Sequence, residues 1–120
     1  MTARRETTTA AATELFLDGA AARMSIPSGA SWSFRALVTG KTAAGASAGY
    51  QIVGLIENIA GTTAFVGIPT VTVLGEDVAA WDCTATADNT NDALVINVTG
   101  AAATTIRWIA RVELSQITFN

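Results

Sequence analysis

Ile106-Arg107-Trp108-Ile109-Ala110-Arg111-Val112-Glu113-Leu114-Ser115 decides the fold class. A period of two puts Ile106, Trp108, Ala110, Val112 and Leu114 on one side. Arg107, Ile109, Arg111, Glu113 and Ser115 fall on the other. Successive side chains of a strand point to opposite faces, so this stretch reads as a β-strand with one side on a core.

The same period recurs upstream. Leu94, Ile96 and Val98 alternate with Val95 and Asn97, and Trp81, Cys83 and Ala85 with Asp82, Thr84 and Thr86. Between them Asp88-Asn89-Thr90-Asn91-Asp92 is a turn, because Asn and Asp tolerate left-handed angles and bond their own backbone. Thr62 to Leu74 contains Gly67 and Pro69 and reads as two strands or a bulged edge strand. Tyr50 to Ile59 is a strand, with Tyr50, Ile52, Gly54 and Ile56 on one side and Gln51, Val53, Leu55, Glu57 and Ile59 on the other. Gly40 to Gly49 reads as a hairpin tip. Trp32, Phe34, Ala36 and Val38 share one face of the strand before it, and Ser33, Arg35 and Thr39 the other. Leu15-Phe16-Leu17 and Arg23-Met24-Ser25-Ile26 are shorter strands closed by Asp18-Gly19 and Pro27-Ser28-Gly29.

These segments predict an all-β chain, an antiparallel β-sandwich of jelly-roll type with about eight strands. Residues 1–12 lack periodicity and read as a short extended N-terminal arm, leaving 13–120 as the sandwich domain. Trp32, Phe34, Tyr50, Ile52, Trp81, Ile96, Trp108 and Val112 are the predicted core.

Composition narrows the function. The 120 residues suit one domain. Half are hydrophobic and 14% charged, so the chain is richer in apolar surface than usual. No apolar run approaches the roughly 20 residues of a membrane-spanning helix, and no membrane insertion is expected. Nor does Met-Thr-Ala-Arg-Arg-Glu-Thr-Thr-Thr read as a signal peptide. A net charge of −3 without a basic stripe argues against a nucleic-acid partner.

The outward sides of the strands are less ordinary. Leu37, Val53, Leu55, Ile59 and Ile109 share them with Arg35, Glu57, Arg107, Arg111 and Glu113. A sheet face open to water is normally polar. Apolar residues ringed by charges suit a protein–protein interface, or else a loop of the same chain covers them. Arg4 and Arg5 read either as a solvated end or as a grip on an acidic partner surface.

Catalytic constellations are missing. With no histidine, neither Ser-His-Asp nor Cys-His arrangements can form. No glycine-rich loop opens a helix. Glu76, Asp77 and Asp82 lack the setting of a glycosidase pair and read as solvated turn charges. Residues 88–92 offer oxygens to Ca²⁺ but lack the spacing and distal Glu of an EF-hand loop. The lone Cys83 alternates inward and reads as a small core residue. The chain is therefore expected to be no enzyme and to need no cofactor or metal.

Five stretches carry a resemblance: Ser31-Trp32-Ser33-Phe34-Arg35-Ala36-Leu37-Val38; Gly49-Tyr50-Gln51-Ile52-Val53-Gly54-Leu55-Ile56, followed by Ala60-Gly61-Thr62-Thr63-Ala64; Ala79-Ala80-Trp81-Asp82; Asn91 to Gly100; and Thr105 to Glu113. Together, over about Thr13 to Ile117, they resemble a small β module of tailed-bacteriophage virion proteins, found at the distal ends of tail fibres. The resemblance implies a virion structural protein, often a homotrimer, made in the host cytoplasm. Its implied partners are itself and the major capsid protein or tail components. It defines no catalytic residue. This chain departs from the fibre pattern in having only a short Thr-rich segment ahead of the module, and Thr39-Gly40-Lys41 where a basic pair is usual. Those departures favour a capsid decoration or cement protein, with a distal receptor-binding head of a short tail fibre as the alternative.

Overall fold

The computed structural model describes residues 1–119. Ten strands follow in order: β1 (Thr2–Thr7), β2 (Thr13–Glu14), β3 (Met24–Ser25), β4 (Ala30–Lys41), β5 (Ser47–Ile59), β6 (Thr62–Phe65), β7 (Thr70–Glu76), β8 (Asp82–Asp88), β9 (Ala93–Thr99) and β10 (Ile106–Thr118). No helix occurs among the described residues. Every pairing is antiparallel. The six-stranded sheet has the order β1-β10-β4-β5-β6, with β7 also on β5; in the four-stranded sheet β2 and β3 flank β9 on one side and β8 pairs it on the other.

One core lies between the sheets, and all eight predicted core residues are buried in it. The alternation is visible in β4 and β10, where buried and exposed residues trade places along the strand. Trp108 donates from Nε1 to Thr7 Oγ1 at 3.0 Å, and the Trp81 ring meets it edge-on with centroids 5.7 Å apart. Gly54 leaves room for Phe34, whose ring carbons sit 3.0 and 3.1 Å from where a Cβ would stand. At the β5–β6 turn Ala60 and Gly61 both take positive φ, 51° and 88°, which is the backbone of a tight two-residue hairpin.

Residues 2–7, part of the extended N-terminal arm expected from sequence, are extended but held in the large sheet. They are β1, laid along β10 with Thr2 opposite Arg111 and Thr7 opposite Ile106. Ala3 and Thr7 point inward and are buried. Their small side chains give the strand no apolar signal, although the space they fill is real. The strand count exceeds expectation because of β1 and because residues 62–76 divide around Gly67 and Pro69, where proline cannot donate to a ladder.

Both sides of the molecule are stitched. On one, the backbones of Arg4 and Phe16 exchange hydrogen bonds while Leu15 N donates to Ile96 O, so the chain crosses from one sheet to the other. On the other, Thr63 N donates to Asn89 Oδ1 at 2.7 Å and its hydroxyl to Asp92 Oδ1 at 2.9 Å.

Among the described residues, Trp81 Nε1 is a buried donor without a partner. A buried unpaired donor is destabilising, whereas loss of a paired one costs the bond. Trp81→Phe is therefore expected to leave the thermal midpoint level or raise it. Trp108→Phe, which strands the Thr7 hydroxyl, should cost about 1–2 kcal/mol. Differential scanning calorimetry of the two variants checks the contrast.

Candidate interface: the outer face of the six-stranded sheet

Register fixes which side chains share this face, because residues directly opposite on antiparallel strands point the same way. One row runs Thr2, Arg111, Leu37, Gln51, Thr72 across β1, β10, β4, β5 and β7. The next rows along are Glu113, Arg35, Val53, Thr70 and then Ser115, Ser33, Leu55. In the opposite direction come Arg4, Ile109, Thr39, Gly49 and then Glu6, Arg107, Lys41, Ser47. Glu57 lies opposite Ser31, which faces Ile117.

The fold thus brings Arg35, Leu37, Val53, Leu55, Glu57, Arg107, Ile109 and Arg111 to one surface. Leu37 and Ile109 are each 49% exposed there. No segment among the described residues buries them. The charges pair with one another: Arg35 with Glu113 at 2.8 Å, Arg107 with Glu6 at 3.1 Å and Arg111 with Glu113 at 3.7 Å. All are open to solvent, and exposed pairs of this kind contribute little stability.

Arg4 and Arg5 have other occupations. Arg4 stands opposite Ile109, but its guanidinium donates to the carbonyls of Leu17 and Asp18, both at 3.3 Å. Arg5 is opposite Trp108 on the inward side, donates to the Glu14 carbonyl and lies 5.3 Å over the Phe16 ring. Arg23 covers the same ring at 5.4 Å and pairs with Glu14. The sequence reading missed β7 as part of the surface. All seven of its residues are exposed; Thr70, Thr72 and Leu74 lie on this face, whereas Val71 and Val73 stand opposite Ile52 and Tyr50 on the other side of the sheet. A register shift between Gly49 and Tyr50 breaks the period-two signal there.

Acidic and thiol groups sit in structural roles. Asp18 Oδ1 accepts the backbone N–H groups of Ala22, Ala21 and Ala20, which hold its carboxyl well below the usual carboxylate range. Asp88 is lowered too, by the Asn91 side-chain amide first and then by the N–H groups of Asn91 and Thr90 and the charge of Arg23. Its oxygens organise the 88–92 turn. Among the described residues no three His, Cys, Asp or Glu side chains converge as metal ligands would. Burial, and secondarily the Asp82 charge, pushes the Cys83 thiol up to about 12. Tyr50 is raised as well, by burial and then by its 2.7 Å hydrogen bond to Glu76.

These shifts set a pH profile. With no histidine, no side chain of ordinary pKa changes charge between about pH 5 and 8, and stability should be level there. Asp18 and Asp88 are lowered in the folded chain, so their contribution is present above the unfolded value of 3.8 and lost as pH falls below it. Cys83 is raised, so its unfolded form loses a proton above pH 9.0 while the folded form keeps it until about 12, and stability declines across that interval. Urea midpoints measured from pH 3 to 11 test the shape.

No family model and no curated protein matches the sequence. Two phage tailspike proteins resemble the fold. The tailspike of Acinetobacter phage vB_ApiP_P1 superposes with a TM-score of 0.47 at 15% identity, over 99% of this chain and 22% of that one. The tailspike gp49 of Acinetobacter baumannii bacteriophage Fri1, a capsular polysaccharide depolymerase, gives 0.46 at 14% identity, over 97% of this chain and 19% of its own. The chain thus spans about a fifth of the length of each. Neither likeness bears on what this chain does.

Proposed function

We propose that this chain is a structural protein of a bacteriophage particle that works by association rather than catalysis. The observation that carries the associating role is the outer face of the six-stranded sheet, where Leu37, Ile109 and Val53 stand exposed among arginines and glutamates. Apolar centres edged by pairable charges are how protein interfaces are built. The virion setting comes from the sequence resemblance. The sandwich presents this face to itself, as a homotrimer, and to capsid or tail subunits. As a decoration protein on the shell it binds only the assembled state and stabilises that state by mass action.

The test is immunogold microscopy of particles released from cells that carry the gene, with antiserum raised on the purified chain. Gold spread over the shell is expected. Gold at the tail tip keeps the virion role and moves the protein to the tail. Unlabelled particles, with the protein recovered in the soluble fraction, overturn the reading.

A further inference from the structure

The charges of this chain are sorted by side. By register, the outer face of the six-stranded sheet holds Arg4, Arg35, Lys41, Arg107 and Arg111 against Glu6, Glu57 and Glu113, five of the seven cations and three of the ten acids. That face is positive by two. The rest of the molecule keeps two cations, Arg5 and Arg23, and seven acids, and is negative by five. Two such faces brought together across a twofold axis would set like charges against like.

A second surface complements the first. Val71 lies opposite Ile52 and Val73 opposite Tyr50, so both point to the core side of the large sheet. They are nevertheless 40% and 53% exposed. β7 makes its contacts with β5 alone among the larger strand–strand packings, and the four-stranded sheet does not cover it. Leu74, the extra residue of the bulge, turns instead to the outer side, where its Cβ lies 3.7 Å from where a Gly49 Cβ would stand; Glu76, opposite the buried Ala48, and Asp77 after it are both exposed. Each of these acids spends one oxygen inside the chain, Glu76 on the Tyr50 hydroxyl and Asp77 on Ser47 N at 2.7 Å, and has the other left for a partner. β7 is also a sheet edge without lysine or an interior proline, guarded only by its bulge and by Glu76 at its end.

We infer that the cationic outer face around Leu37 and Ile109 binds the β7 surface of a second copy, Val71 and Val73 against the apolar centre and Glu76 and Asp77 against Arg107, Arg111 or Lys41. The inference rests on reading the outer face as an interface and adds which surface it meets. The two patches differ and lie on opposite sides of one sheet. The contact is therefore head to tail, and it closes into a ring where the rotation between copies allows.

Sedimentation of the purified chain tests this apart from its place in a particle. The wild type is expected to associate at low salt and to come apart at about 1 M NaCl, where the Debye length is about 3 Å. Arg107→Glu with Arg111→Glu, both highly exposed, should weaken association by about tenfold or more. Glu76→Lys with Asp77→Lys should do the same. Since that pair also removes bonds to Tyr50 and Ser47, Val73→Lys provides a second variant that leaves those bonds in place. Mixing the arginine variant with a β7 variant leaves one good contact between them, so the mixture should form pairs and nothing larger. A wild type that stays monomeric, or association indifferent to salt and to both sets of variants, overturns the inference. Virion labelling would be untouched by either result.

Discussion

Gly40→Ala is expected to lower the thermal midpoint by roughly 10 °C. Gly40 lies directly opposite Trp108 in the pairing of β4 with β10, and its missing side chain is where the indole rests. A Cβ there would stand 2.4 Å from Trp108 Cε3 and Cζ3 and 2.9 Å from Cδ2. The ring has nowhere to retreat, since Thr7 holds its nitrogen and Trp81 abuts its edge. Overpacking of this kind costs about 1–3 kcal/mol, of which the lower backbone entropy of alanine returns less than about 1 kcal/mol. Adding Trp108→Leu to Gly40→Ala should lose less than the two single changes summed, because the smaller side chain vacates the contested space. Additive losses in calorimetry would show that the two residues do not compete.

Asn58→Leu should cost about 2–4 kcal/mol in urea unfolding, despite the same branching and better hydropathy. Asn58 is 3% exposed and satisfies two backbone groups at once. Its Nδ2 donates to the Ile26 carbonyl and its Oδ1 accepts Gly61 N–H, each at 2.9 Å. One side chain thus ties the segment after β3 to the β5–β6 turn. Leucine would leave both groups unpaired. Asn58→Asp keeps the acceptor but aims a carboxylate at a carbonyl oxygen. Burial would raise the pKa of the introduced carboxyl, so this variant should regain stability as pH falls through that raised value. A variant equally unstable at pH 4 and pH 7 would contradict the account.

The strands that were legible in the sequence are those that carry large side chains on one side only. β4 and β10 announce themselves through Trp32, Phe34, Trp108 and Val112, and the period of two that buries those residues also places Arg35, Leu37, Ile109 and Arg111 on the opposite face. Most of the candidate interface was therefore readable without coordinates. β1 was not, because a strand whose inward residues are Ala3 and Thr7 has the composition of a loop. β7 lies in a stretch that reads as strand, but its facing was hidden, because a bulge breaks its period and none of its residues is buried. Arg5 was grouped with Arg4 as a neighbour in sequence, yet successive residues of a strand point apart, and only one of the two is on the outer face. Strand order left no trace either, since periodicity says which way a side chain points and nothing of which strand lies next to it.

That order has a kinetic consequence. β10 is the last of the ten strands in sequence and sits between the first and the fourth. The large sheet therefore cannot be completed until residue 118 is available to it. Until then β4 has β5 on one edge but nothing on the other along its whole length, and Trp32, Phe34 and Val38 have an unfinished core to face. Distant pairings of this kind fold slowly and hold sticky intermediates open meanwhile. A chain cut short within β10 should then accumulate as aggregate rather than as a smaller folded domain.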